Sequence, residues 1–170
     1  MSHVSIIYGC IQELWVGSIP EAEKRNSLIR ENTRRVLSEL PVDEEWPPLL
    51  RQMFAVSDGP ASMTFSGRTI HFSASMKGLD IFIREWMDKF EDTLKKLHWS
   101  NAFLHFQGMA IGDQDFSWSV AQEWFNKACD LNAPLAPIES WEFASTLPLD
   151  DLEQMTGKEN RNNRHFMKRT

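Results

Sequence analysis

One stretch, residues 78–106, constrains the fold more than any other part of the chain. Its first two thirds place apolar side chains three and four residues apart, the spacing of one helix face. These side chains are Leu79, Ile83, Trp86, Phe90, Leu94 and Leu97. Charged residues occupy the opposite face, and from residue 102 to residue 106 the pattern changes to the alternation of a strand. A long amphipathic helix that leads into a strand predicts a core scaffold and not a binding site.

Alternating apolar residues recur on both sides of this helix and predict a sheet. Residues 4–12 are expected to form a first strand, in which Gly9 marks a bulge or a close approach, and a helix follows it. Residues 61–73 predict a hairpin with Ser66-Gly67 at its turn, and residues 116–120 predict a strand paired with the one around Leu104. The order of elements predicts an α+β fold. We expect an antiparallel sheet of four to six strands built from hairpins, with the long helix and shorter helices packed mainly on one face.

Length and charge predict one acidic domain with a basic end. A chain of 170 residues is expected to fold as a single domain, residues 1–157, and to bury roughly 70% of its unfolded surface. Residues 158–170 contain five Lys or Arg and one Glu, and we expect them to form a flexible tail. The net charge is −6, so this tail of +4 leaves −10 on the domain. Such a domain repels nucleic acid and attracts basic proteins.

The sequence also predicts where the protein resides. The first residues have neither a basic start nor a long apolar run, so we expect no signal peptide. No apolar run approaches the roughly 18 residues that predict a membrane span. Cys10 and Cys129 do not have the number or spacing of a disulfide framework. We therefore expect a cytoplasmic protein with two free thiols.

The sequence contains none of the common catalytic or ligand-binding spacings. It has no C-x-x-C or H-x-x-x-H pair, no G-x-S-x-G turn and no glycine-rich phosphate loop. We therefore expect no metal, no cofactor, no catalytic residue and no enzymatic activity. One enzymatic alternative stays open, because His71 and His105 lie on predicted strands and would approach each other if those strands were neighbours. His98 ends the long helix, where a positive charge would complement the helix dipole.

Two acidic clusters each adjoin a tryptophan. Asp43-Glu44-Glu45 comes directly before Trp46, and the aspartates at 113 and 115 come shortly before Trp118. Acidic side chains steer a basic partner toward a surface, and an exposed indole can anchor it there. We predict seven partner-binding residues on this basis: Asp43, Glu44, Glu45, Trp46, Asp113, Asp115 and Trp118.

In size, acidity, tryptophan content and α+β order the chain resembles bacterial immunity proteins. The resemblance implies a cytoplasmic protein that binds a cognate toxin, often a nuclease, and covers its active site or a nearby surface. The expected partner is therefore a basic toxin domain. The resemblance includes no shared motif, so no functional residue is carried over from the family. A non-catalytic adaptor subunit is a further function that these features fit, and the oligomeric state stays open.

Overall fold

The computed structural model describes residues 4–57, 67–148 and 151, and the backbone of residues 165–166. Within these ranges the chain forms three α-helices, seven strands and two short 3-10 turns, at Arg51–Met53 and Leu79–Ile81. The predicted α+β class is confirmed. In chain order the elements are β1 (Val4–Glu13), α1 (Pro20–Glu39), β2 (Phe54–Val56), β3 (Thr69–Lys77), α2 (Ile83–Leu94), β4 (Trp99–Gly108), β5 (Gly112–Val120), α3 (Gln122–Cys129), β6 (Trp141–Ser145) and β7 (His165–Phe166).

Six strands form the predicted antiparallel sheet, in the order β2-β3-β1-β4-β5-β6. The two-residue β7 pairs with β6 in parallel, at the edge of the sheet. The predicted hairpin over residues 61–73 lies partly outside the described residues, and of its two strands the structure describes only the second, as β3. The predicted basic tail, residues 158–170, also lies outside them except for the backbone of β7.

One face of the sheet packs against the helices and forms the core. Phe72, Leu104 and Trp118 point to this inner face and are buried, and side chains of all three helices belong to the same apolar cluster. Phe90 of α2 lies at the centre, with its ring centroid 5.0 Å from that of Phe72 and 5.2 Å from that of Trp118. The opposite face, which we call the open face, has no helix packed on it among the described residues.

Gly9 of β1 marks a close approach on the inner face. A Cβ atom at this position would lie 2.6 Å from the ring of Phe72 and 3.0 Å from the Cα of Leu104. Real Cβ atoms essentially never come closer than 3.0 Å to such a neighbour, so the missing side chain makes room for the Phe72 ring. The expected close approach at Gly9 is therefore present.

The predicted long helix is not confirmed, because α2 has 12 residues and is preceded by a separate 3-10 turn. Asp80 in that turn accepts hydrogen bonds from the Ser5 hydroxyl (2.6 Å) and the Ala110 amide (3.0 Å), which tie the turn to the sheet. Burial acts to raise the pKa of Asp80, but these bonds and further backbone amides outweigh it and hold the pKa below its usual value. At the other end, the Trp99 indole donates to the Leu94 carbonyl (2.9 Å) and satisfies a terminal carbonyl of the helix.

His98 is not the charged helix cap that the sequence suggests. Its ring stacks on the Trp124 ring with centroids 6.5 Å apart, and its Nδ1 atom is buried without a hydrogen-bond partner among the described residues. Burial and the nearby Arg25 guanidinium lower the pKa of His98 to about 4. The imidazole is therefore neutral at pH 7, and the expectation of a cationic cap is wrong.

The neutral His98 makes the fold sensitive to acid. An unfolded histidine has a pKa of about 6.5, so the unfolded chain binds the extra proton between about pH 6.5 and pH 4. Above that window His98 is neutral in both states and costs the fold nothing. As the pH decreases through the window, we expect the free energy of unfolding to fall by about 2–3 kcal/mol, because only the unfolded chain gains this proton. Urea unfolding across the window measures this, and His98→Gln should flatten the pH dependence relative to the wild type. The exposed His71→Gln is the matched control, and an equal slope in His98→Gln and wild type would contradict the prediction.

Candidate functional site

Residues 41–48 form an acidic loop between α1 and the first 3-10 turn. We call this segment the acidic loop. Asp43 and Glu45 are exposed, and the side chains of Val42 and Trp46 are 66% and 44% exposed. The loop therefore presents two solvated carboxylates beside two large apolar side chains, which combines the charge and the aromatic group predicted for partner binding.

The third acid of the loop, Glu44, has a structural role. Its carboxylate forms an ion pair with Lys89 of α2 (3.0 Å) and accepts a hydrogen bond from the Leu49 amide (2.8 Å). The Lys89 ammonium also donates to the Pro47 carbonyl (2.8 Å). Glu44 is thus compensated within the chain and fixes the loop, while its acidic neighbours stay available to a partner.

Further hydrogen bonds fix both ends of the acidic loop. The Trp86 indole of α2 donates to the Pro48 carbonyl (3.1 Å) at one end. The Arg51 amide donates to the Pro41 carbonyl (2.9 Å) at the other. The loop backbone is therefore ordered before any partner binds, which reduces the entropy that binding would cost.

The Trp46 ring is also held in place. It meets Phe82 edge to face, with ring centroids 6.4 Å apart and planes at 86°. This is a favourable geometry for an aromatic pair. The indole is therefore supported on one side by Phe82, and nearly half of Trp46 stays open to solvent.

The second predicted cluster lies on the opposite side of the molecule. Phe116 and Trp118 of β5 point into the core, so Asp113 and Asp115 at the alternate positions point to the open face. Asp115 contacts His105 of β4, with 2.7 Å between its Oδ1 and the imidazole Nδ1. The acidic loop contacts α2 on the inner side, so the two clusters do not form one surface.

The prediction of Trp118 as a surface anchor is wrong. Its side chain is fully buried, and its ring centroid lies 5.3 Å from that of Phe143. Its indole N–H donates to the carboxylate of Glu91 in α2 (3.0 Å). Trp118 is three residues after Asp115, an odd step that places the two side chains on opposite faces of a strand.

His71 and His105 both reach the open face but do not meet. β1 lies between their strands, where Cys10 is the cross-strand partner of His71 and Tyr8 that of His105. Two strand spacings alone separate them by about 10 Å. Burial raises the pKa of the Cys10 thiol, which disfavours the reactive thiolate. The part of the chain that the structure describes has no group of three or more His, Cys, Asp and Glu side chains that could hold a metal ion.

A cavity of about 260 Å³ lies beside β2 and contains three arginines. Each of these guanidinium groups already has an acceptor within the chain. Arg68 pairs with Glu13, Arg34 pairs with Glu31, and Arg51 donates to the Ser38 carbonyl. The cavity is therefore a weaker candidate site than the acidic loop.

The open face carries an apolar stripe that the sequence interpretation missed. Val4, Ile6 and Tyr8 of β1 and Phe103 of β4 are 46%, 40%, 50% and 40% exposed. These strands are the third and fourth of the sheet, so the stripe lies near its middle. We call these four side chains the open-face stripe. The sequence could have indicated this stripe, because β1 has apolar residues at both odd and even positions. That pattern is typical of strands that are covered on both faces.

No helix in the described ranges is long and apolar enough to cross a membrane. Comparison of the chain with protein-family models, with curated proteins and with solved structures finds no match. The acidic loop is the candidate functional site, because an exposed indole and two solvated carboxylates lie there on a fixed backbone.

Proposed function

We propose that this chain is a cytoplasmic, stoichiometric protein-binding module that neutralises a basic toxin domain, as immunity proteins do. The observation that carries the proposal is the acidic loop, where Trp46 is exposed on a backbone that is already fixed. Rigid aromatic side chains of this kind supply much of the energy of protein interfaces. The net charge of −10 on residues 1–157 supports a basic partner.

The proposed mechanism is occlusion and includes no covalent step. Asp43 and Glu45 attract the basic surface of the toxin and speed its approach. Trp46 then inserts into an apolar depression at or beside the toxin active site, and the rest of the domain prevents substrate from entering. One copy of the chain neutralises one toxin domain.

Co-expression tests the function itself. The product of the adjacent gene is expressed alone and together with this chain, and growth is measured. We expect growth arrest without the chain and recovery with it, and a complex of equal stoichiometry by light scattering. A complex that forms without relieving growth arrest would favour the adaptor function. A harmless neighbouring product that does not bind would contradict the toxin assignment.

Substitution of Trp46 tests the site. We expect Trp46→Ala to weaken the purified complex about 30- to 100-fold, or about 2–3 kcal/mol, because an anchoring aromatic group is lost. Calorimetric titration measures this change. The pair Asp43→Lys and Glu45→Lys should mainly slow association and reduce its salt dependence.

Two controls match these variants. Leu28→Ala removes a large apolar side chain that is 57% exposed on α1, outside the acidic loop. Asp113→Lys with Asp115→Lys reverses the same number of charges on the open face. Both controls should bind as the wild type does. Wild-type affinity in Trp46→Ala would show that the partner contacts another surface.

A further inference from the structure

The geometry points to a symmetric dimer of the free protein, in which two copies cover each other's open-face stripe. This inference does not depend on the proposed toxin partner, because the acidic loop contacts α2 on the other side of the sheet. The first observation is the stripe itself. Four large apolar side chains lie together on two central strands, and monomeric proteins rarely leave a large contiguous apolar patch open to water.

The surroundings of the stripe have the composition of an interface. Exposed serines, Ser73 and Ser75 on β3, lie on one side of it, and the partly exposed Ser117 and Ser119 on β5 lie on the other. An apolar centre with a polar rim is the usual arrangement where two proteins meet. The open face therefore resembles one half of a protein interface more than an ordinary solvated sheet surface.

The charges on the two flanks identify a second copy as the occupant. The β3 flank presents Lys77, whereas the flank of β5 and β6 presents Asp113, Asp115 and Glu142. A two-fold axis parallel to the strands, passing between β1 and β4, places the β3 flank of one copy over the acidic flank of the other. An axis perpendicular to the strands would place acid over acid. A uniformly basic partner would leave Lys77 facing like charge.

The same axis also matches large side chains to small ones. Cys10 and Phe103 are direct cross-strand partners on β1 and β4, so each Phe103 would lie over the Cys10 of the other copy. Tyr8 and His105 are partners in the next row, with ring centroids 4.8 Å apart. Each Tyr8 ring would then face the His105 ring of the other copy across the interface. Two sheets that pack face to face lie about 10 Å apart, with their strands about 30° from parallel. Side chains of this size can fill the space between them.

Light scattering after size-exclusion chromatography of the 170-residue chain tests the inference over about a hundredfold range of concentration. We expect twice the chain mass of 19.7 kDa for the wild type and a monomer for Phe103→Asp. Leu28→Asp, at an exposed apolar position on α1, should stay dimeric. A wild-type monomer at all concentrations would overturn the inference, as would a Phe103→Asp dimer.

A charge exchange tests the direction of the axis and does not depend on a change at Phe103. Lys77→Glu alone should raise the dimer dissociation constant about tenfold, since it places acid against acid. Adding Asp113→Lys to the same chain should restore the wild-type value, because the flanks are again complementary. A double variant that dissociates as readily as Lys77→Glu would overturn the proposed axis. Circular dichroism confirms that each variant is folded, and toxin binding by the charge variants should be unchanged.

Discussion

Replacing Arg68 by Met is expected to lower the free energy of unfolding by about 3–5 kcal/mol. The reason is the burial of its partner, because Glu13 is only 3% exposed. Without Arg68, the carboxylate of Glu13 would stay inside the protein without a compensating charge. Urea unfolding at pH 7 of wild type and variant measures the difference.

The geometry of the pair explains the size of this effect. Arg68 donates from Nε and Nη2 to the two carboxylate oxygens of Glu13, and each of these hydrogen bonds is 2.9 Å long. The Thr33 hydroxyl of α1 donates to the same carboxylate (2.6 Å). The cluster therefore joins the end of β1, helix α1 and the residue just before β3. Removing one partner of such a buried pair lowers the stability strongly, because the other charge stays buried alone. Replacing both partners by apolar side chains changes the stability much less.

Two further variants separate this explanation from a general loss of side-chain packing. Glu13→Met with Arg68→Met removes both charges, and its stability should lie closer to wild type than that of Arg68→Met. Arg35→Met breaks the exposed pair of Arg35 and Glu39 and should cost less than about 1 kcal/mol. A double variant less stable than Arg68→Met would contradict the explanation by an uncompensated charge.

The second large effect is expected for Trp118→Ala, which should lower the free energy of unfolding by about 3–5 kcal/mol. The substitution opens a cavity beside Phe90 and Phe143 and removes the hydrogen bond to Glu91. Thermal and urea unfolding measure the loss. Trp118→Phe should cost less, because it keeps most of the ring volume and loses the hydrogen bond.

Trp46→Ala is the matched control for that experiment. Its side chain is 44% exposed, so the same substitution should cost less than about 1 kcal/mol of stability. Trp118 is therefore expected to affect stability, whereas Trp46 is proposed to affect partner binding. Equal stability of the two alanine variants would contradict the burial of Trp118.

The sequence predicts the fold class because alternation and helical spacing are local patterns. Each pattern depends only on which side of a helix or strand faces the core. It can therefore be recognised in the sequence without knowing which other elements pack against it. The length of α2 is not readable in this way, because Asp80 is bound by Ser5 and Ala110, which lie far from it in the chain. The pairing of Glu13 with Arg68 is equally non-local, because the two residues are 55 positions apart.

The candidate site is only partly predictable for a related reason. The acidic loop is recognisable because its acids, its tryptophan and its prolines are consecutive in sequence. The error at Trp118 was avoidable, since its three-residue step from Asp115 places it with Phe116 on the buried face. The separation of His71 from His105 was not readable, because it depends on β1 entering the sheet between β3 and β4.

The central place of β1 has a consequence for synthesis on the ribosome. Among the described strands β1 is synthesised before the others, yet its neighbours in the sheet come much later, as the pairs Val4–Lys77 and Ile6–Gln107 show. Long-range pairing of this kind slows folding. Until Lys77 has been made, the nascent chain carries β1 as an apolar strand without either neighbour, and the edge that β4 covers stays unpaired until Gln107 has been made. Such a strand is a hazard for aggregation and a natural binding site for chaperones.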